Sequence, residues 1–181
     1  GFQLLDLQDY PGQGSAYVGI LDAFMDSKGL VTPEKWREFC SETVPLFITE
    51  KFCWTNTEHF TGDIRIANYS EHSLKGKEVT WELKDRQGRI QDKGSLEVES
   101  GQTGLINVGT ITPALSSFSK AQRLNLNIYI TGTPYRNSYA LWVYPSKKEI
   151  QIPNGITVTD TLNQEIFRQL KRGGKVLWFP K

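Results

Sequence analysis

An alternation of apolar and polar residues between about positions 52 and 145 constrains the fold of this 181-residue chain more than any other feature. Each alternating segment has one apolar face, as a half-buried β-strand does, and examples are 63–67, 79–83 and 124–130. Turn-forming residues separate these segments at short, regular intervals. About seven strands with no helical period between them predict an antiparallel β-sandwich of the immunoglobulin type. Trp81, on a middle strand, is its expected core anchor.

The residues before this region predict a strand, a long irregular loop and a helix. Residues 1–9 have the pattern of a short buried strand, and Pro and Gly residues follow it. Thr32, Pro33 and Glu34 suit an N-cap and the first helical turn. An apolar stripe from Trp36 to Val44 then predicts a helix that ends at Pro45.

The residues after the sandwich predict a β-α-β unit. Residues 156–159 resemble a strand, and Thr161 and Gln164 have the spacing of a capping box ahead of an amphipathic helix. Two glycines, Gly173 and Gly174, end this helix, and residues 175–179 predict a second, fully buried strand. A parallel sheet of this kind requires further strands. The fold class is therefore mainly β, with an immunoglobulin-like sandwich flanked by a strand-loop-helix and a β-α-β unit.

Charge and hydropathy argue against two classes of partner. The chain has 21 Lys and Arg against 20 Asp and Glu, a net charge of +1, and no basic run that would favour a nucleic acid or an anionic membrane surface. No segment has the roughly 20 apolar residues needed to cross a bilayer. Both termini fall inside expected structural elements, so we expect the chain to be a piece of a longer protein.

Polar residues that follow the first expected strand are the main candidates for chemistry. They are Asp6, Gln8, Asp9 and Gln13, with Tyr10 beside them. Paired carboxylates can divide acid and base roles at a glycosidic bond if their separation is suitable. The alternative is that these side chains cap the loop by accepting hydrogen bonds from local backbone N–H groups.

Other residue types offer little chemistry. His59 and His72 lie in expected loops without partners at metal-ligand spacing, and Cys40 and Cys53 have no metal-binding spacing. The two cysteines are either free, with Cys40 buried, or paired if the protein is exported. We therefore expect no catalytic set, no metal and no cofactor in this chain.

Aromatic residues near the end of the sandwich are a candidate glycan platform, and they are Tyr135, Tyr139, Trp142 and Tyr144. On an alternating strand Trp142 and Tyr144 share one face. Such a face is more often part of a core.

The first 29 residues resemble the end of the catalytic barrel in β-galactosidase-like glycoside hydrolases of family 2, as found in gut Bacteroidetes. Residues 1–14 (GFQLLDLQDYPGQG) and 19–29 (GILDAFMDSKG) carry this resemblance. The middle region is similar to the sandwich that follows the barrel, and the last region looks like the opening of a flavodoxin-like or amidotransferase-like domain. The resemblance implies three parts: a barrel end over residues 1–47, a sandwich over 48–148, and the start of an α/β domain over 149–181.

The resemblance also implies which residues face a substrate. Active sites of such barrels lie at the C-terminal ends of the strands, so Asp9, Tyr10 and Gln13 would face the sugar. The catalytic glutamates of the family lie on earlier barrel strands that precede this segment. Leu7 and Gln8 also stand where the family usually has a tryptophan.

Two functions follow as hypotheses. The first is a non-catalytic accessory portion of a secreted or periplasmic glycoside hydrolase, which meets carbohydrate through the parent barrel, has other domains of the same chain as partners, and is inactive alone. The second is a stand-alone carbohydrate-binding or adhesion module that presents Tyr139 and Trp142 to a glycan. Oligomer contacts through the sandwich are a further alternative.

Overall fold

The computed structural model describes residues 3–12, 17–146 and 152–180, and it divides the chain into two compact units, Gly1–Ser146 and Lys147–Lys181. The first unit contains helix α1 and strands β1–β8. The bounds of these elements are α1 Pro33–Arg37, β1 Thr43–Ile48, β2 Cys53–Thr55, β3 Gly62–Asn68, β4 Glu78–Lys84, β5 Ile90–Glu97, β6 Gly104–Ile111, β7 Gln122–Ile130 and β8 Arg136–Tyr144.

Two sheets form the sandwich and confirm the predicted fold class. One sheet has three strands in the order β1-β3-β6, and the other has five in the order β2-β8-β7-β4-β5. All neighbours are antiparallel except β2 and β8, which are parallel. Strands β1 and β2 are neighbours along the chain but lie in different sheets, since β1 pairs with β3 and β2 pairs with β8.

The core lies between the two sheets and is built from the inward residues of alternating strands. Strand β3 alternates buried and half-buried residues along its whole length, and β4 and β7 do so along most of theirs, as their sequence patterns predict. Trp81 on β4 belongs to this core and lies against Gly94 of β5, where an added Cβ would be 2.9 Å from the indole ring. Trp81 is therefore the core anchor that the sequence predicted.

The predicted N-terminal helix is wrong over its second half. Helix α1 ends at Arg37, whereas Thr43–Ile48 is strand β1. The β-branched residues of this segment suit a sheet, and Pro45 is tolerated because β1 is an edge strand. Strand β1 also runs across residue 47, where we placed the end of the first region.

The predicted first strand is reduced to a bridge. Gln8 pairs with Leu21, and the leucines at positions 4, 5 and 7 are exposed. Among the described residues, this one bridge is the only strand-like pairing of the segment. Its apolar residues are therefore not buried by a sheet.

The second unit has the β-α-β arrangement that the sequence predicts, but its second strand is largely exposed and not fully buried, because the described residues place no further strand over it. Strand β9 Ile156–Thr159 is followed by helix α2 Gln164–Lys171, and strand β10 Lys175–Trp178 pairs with β9 in parallel. The expected capping box at Thr161 is wrong, because Asn163 is the N-cap and its side chain accepts hydrogen bonds from the amides of Glu165 and Ile166.

Candidate functional site

Asp9 is buried and holds the N-terminal loop together. Its carboxylate accepts a hydrogen bond from the Gly19 amide at 2.9 Å, and Lys28 Nζ lies 3.0 Å from both carboxylate oxygens. Lys28 also donates to the carbonyls of Tyr17 and Gly19. The backbone at Gly19 passes close to the backbone at Gln8, since a Cβ on Gly19 would lie 2.3 Å from the Gln8 carbonyl carbon. Asp9 thus acts as a local cap and ion-pair partner, and its predicted contact with a substrate stays a prediction.

The other residues of the predicted sugar-facing set are not assembled around Asp9. Tyr10 is exposed, and its ring lies over Gly12, where a Cβ would be 2.6 Å from Tyr10 Cζ. Gln13 lies outside the described residues. Asp6 is half-buried and Gln8 is exposed. The substrate-binding role of these residues stays a prediction.

A tight turn at residues 22–26 is a feature that the sequence reasoning missed. Asp22 Oδ1 accepts hydrogen bonds from the amides of Phe24 and Asp26, both at 2.9 Å. Met25 has a φ of 69°, which is uncommon for a residue with a side chain. The turn presents Phe24 and Met25 to solvent. The local signal was Asp22 itself, since an aspartate often accepts hydrogen bonds from amides two residues on.

The N-terminal segment has two different surroundings. Its polar residues contact the sandwich: Lys35 donates to Ser138 Oγ on β8 at 2.8 Å, and Ser138 donates to Glu38 at 2.9 Å. Tyr135 donates to the Glu42 carboxylate, and this bond raises the pKa of the Tyr135 phenol.

Its apolar residues are largely exposed. We call them the N-terminal apolar surface: Leu5, Leu7, Val18, Phe24, Met25 and Leu30. Beside them, a groove of about 290 Å³ is lined mainly by apolar residues, among them Leu21, Val31 and Trp36. Exposed apolar area of this kind is typical of interaction surfaces.

Tyr139 and Trp142, the two residues of the predicted glycan platform, lie on opposite faces of β8. Tyr139 points inward, packs on Phe47 with ring centroids 5.8 Å apart, and accepts a hydrogen bond from Asn137 Nδ2 at 2.9 Å. Burial raises the pKa of the Tyr139 phenol. Trp142 and Tyr144 point outward, with exposed fractions of 37% and 45%. The outward aromatic pair is therefore Trp142 and Tyr144, and neither belongs to the core.

A polar recess of about 180 Å³ lies where the turn between β4 and β5 meets the start of β7. We call it the arginine recess, and its lining residues are Asp85, Arg86, Arg123, Leu124 and Asn125. Asp85 turns away from solvent and accepts hydrogen bonds from the amides of Gln87 and Arg89 and from the side chains of Arg89 and Gln91. Burial alone would raise the pKa of Asp85, but the bonds from Arg89 and Gln87 hold it below its ordinary value.

The histidines and cysteines belong to none of the sites described above. His59 and His72 are exposed and lie outside helices and strands, as predicted. Cys40 is half-buried, Cys53 is exposed, and both are free. In the part of the chain that the structure describes, no three side chains of metal-ligating type come together, and no helix is long and apolar enough to span a bilayer.

Comparison with known proteins shows what this chain is similar to. A family model described as a domain of unknown function, DUF8488, matches residues 58–145, which include β3–β8. No curated protein matches. Among solved structures, the chain is similar to Parabacteroides merdae β-glucuronidase, crystallised with glycerol in its active site, with a TM-score of 0.33 and 8% identity. The match covers 72% of this chain and 19% of that enzyme, so the chain spans about a fifth of its length. At this level the similarity assigns no activity to the chain.

Proposed function

We propose that this chain is a non-catalytic accessory portion of a larger, secreted or periplasmic glycoside hydrolase similar to family 2. The N-terminal apolar surface carries the proposal. Six large apolar side chains, Leu5, Leu7, Val18, Phe24, Met25 and Leu30, are exposed in a segment whose polar residues are fixed to β8. The sandwich thus holds the segment on one side, and the rest of a catalytic barrel would cover the apolar side.

The buried carboxylates support an accessory role. Among the described residues, Asp9 and Asp85 are the buried acidic side chains, and each is paired with a basic residue, Lys28 or Arg89. Retaining glycosidases need two carboxyl groups about 5–5.5 Å apart, one of them acting as an acid. In this proposal the catalytic carboxylates belong to barrel strands outside the 181 residues.

The second unit fits the same proposal. Its two-stranded parallel sheet leaves Val158, Leu177 and Trp178 exposed, and α2 leaves Phe167 and Leu170 exposed. Parallel sheets are normally covered on both faces, so this unit would be completed by further strands of an α/β domain.

The test uses Leu5, which is 82% exposed in this chain. Leu5→Glu should leave the stability of the 181-residue chain unchanged, because the side chain lies in water. In the protein encoded by the complete reading frame, the same substitution should abolish activity on aryl β-glycosides, because it places a charge in the covered interface. Ile90→Glu, at an exposed position on the edge strand β5, is the matched control and should leave both readouts unchanged.

Two results would refute the accessory role. One is turnover of aryl β-glycosides by the purified 181-residue chain, lost on substitution of Asp9. The other is a reading frame that starts immediately before Gly1, because no barrel could then precede the segment.

A second function, glycan contact by the sandwich itself, is favoured by the outward pair Trp142 and Tyr144. Aromatic faces of this kind stack on sugar rings. Oligosaccharides should quench tryptophan fluorescence, and Trp142→Ala should remove the quenching without unfolding the chain. Trp178→Ala, which changes an exposed tryptophan of the second unit, should leave it intact.

A further inference from the structure

The arginine recess carries two guanidinium groups, those of Arg86 and Arg123, and no acidic side chain among the described residues forms an ion pair with either. Asp85 is engaged by Arg89 and Gln91, and only 2% of its side chain is exposed. Arg86 is exposed and forms no hydrogen bond or ion pair with any residue that the structure describes. Arg123 is exposed, and among the described residues its guanidinium makes a single long hydrogen bond, 3.5 Å, to Asn125 Oδ1. The recess therefore presents free positive charge.

Nearby charges do not cancel this excess. Lys84, which is paired in register with Asn125, lies next along the surface and forms an ion pair of 2.6 Å with Glu82. That pair is neutral as a unit. Two cations thus remain at the recess, and guanidinium groups bind carboxylate and sulfate oxygens in a planar, two-point geometry.

The outward aromatic pair borders the recess. Trp142 lies directly opposite Arg123 in the register of β7 and β8, so their Cβ atoms are about 5 Å apart on the same face of the sheet. Tyr144 follows two residues later on that face. Ala140, which has a small side chain, lies opposite Asn125 on the same face of the sheet.

We infer that this surface binds an acidic oligosaccharide, with its anionic group between Arg86 and Arg123 and a sugar ring on Trp142. Asn125 supplies an amide that can bond a sugar hydroxyl. A recess of about 180 Å³ suits one anionic group, whereas a nucleic acid requires cations spaced along a groove. The inference rests on the second function proposed above, glycan contact by the sandwich, and it adds the class of glycan. It is independent of the accessory role.

The main comparison is between two ligands with the same sugar chain, one charged and one neutral. Trigalacturonate and its neutral methyl ester are titrated into the 181-residue chain by calorimetry, with a sulfated galactan oligosaccharide as a second anion and a short oligothymidylate as a phosphate-bearing control. We expect binding of one or both acidic oligosaccharides at least tenfold tighter than binding of the ester, and weaker binding as salt rises. Which of the two acidic oligosaccharides binds shows whether the preferred anionic group is a carboxylate or a sulfate.

Variants locate the binding site. Arg86→Gln and Arg123→Gln should each weaken acidic-glycan binding about tenfold or more, because each removes a charge-assisted contact. Arg136→Gln is the matched control, since it removes an exposed arginine from the other end of β8, about 20 Å from Trp142, and it should have no effect.

The outcomes distinguish the acidic specificity from glycan contact in general. Equal binding of trigalacturonate and its ester overturns the acidic specificity but keeps glycan contact, whereas binding of no oligosaccharide overturns both. Binding of oligothymidylate as tight as that of the acidic glycans overturns the glycan assignment. Binding that survives both arginine substitutions overturns the recess as the site.

Discussion

Replacing Asp9 with asparagine tests whether this residue holds the N-terminal loop, as its contacts indicate. The substitution keeps the size of the side chain and removes its charge. It breaks the ion pair with Lys28, and it leaves one carbonyl oxygen to accept from the Gly19 amide. The loop between these residues should then open more often.

The magnitude follows from the burial of the two partners. Hydrogen bonds to charged groups contribute about 1.5–3 kcal/mol, and breaking a buried ion pair costs about 3–5 kcal/mol. The side chain of Asp9 is 8% exposed, but that of Lys28 is 26% exposed, so the released ammonium regains water in part. We therefore expect the free energy of opening to fall by about 2–3 kcal/mol, near the lower end of these ranges.

Hydrogen exchange measures this opening directly. The amides of Gly19 and Leu21 donate to Asp9 and to the Leu7 carbonyl, so they report on the loop. Their exchange should be about 30- to 150-fold faster in Asp9→Asn, at 1.4 kcal/mol for each factor of ten. Amides of strand β7 should be unchanged.

Asp6→Asn is the matched control, because Asp6 lies in the same segment and has no hydrogen bond or ion pair within the described residues. Equal exchange rates in Asp9→Asn and Asp6→Asn would refute the structural role of Asp9. They would leave substrate binding as the better account of this carboxylate.

Three further predictions concern the sandwich. Gly94→Ala should lower the free energy of unfolding by about 1–3 kcal/mol in urea, because the new methyl group meets the Trp81 ring at 2.9 Å. Asn137→Ala should cost about 1–3 kcal/mol in the same assay, because the amide no longer donates to the buried Pro45 carbonyl at 2.8 Å. Asp85→Asn should make stability less sensitive to acid. The folded pKa of Asp85 lies below its ordinary value of 3.8, so its stabilising effect is complete above that value and is lost as pH falls through the folded pKa.

Controls and contrary results differ among the three. Ser95→Ala, at the exposed position next to Gly94, and Asn127→Ala, on the outer face of β7, should each change stability by less than about 0.5 kcal/mol. Unchanged stability in Gly94→Ala or Asn137→Ala would contradict the packing or the hydrogen bond that motivates it. For Asp85, parallel stability curves of the variant and the original chain between pH 6 and pH 3 would contradict the prediction.

Sequence patterns predicted the sheets far better than the sites. The predicted segments 63–67, 79–83 and 124–130 lie in β3, β4 and β7, and the β-α-β unit also follows the predicted pattern, because periodicity reflects which face of each segment is buried. The sequence predicted too long a helix at α1, because the stripe from Trp36 to Val44 fits a helical period. In the folded chain Val44 pairs with Ala67 of β3. A local sequence pattern carries no information about which distant strand a segment pairs with.

The sequence by itself determined the fold class, the order of the strands along the chain, and the loop positions of both histidines, because these depend on local turn chemistry and period. Only the tertiary structure decided that Asp9 pairs with Lys28, nineteen residues away, and that the arginine recess forms where the turn between β4 and β5 meets β7. It also decided that Trp142 faces solvent while Tyr139 packs inside. Alternation states that neighbours point to opposite faces, but the core face is chosen by the sheet packed against it.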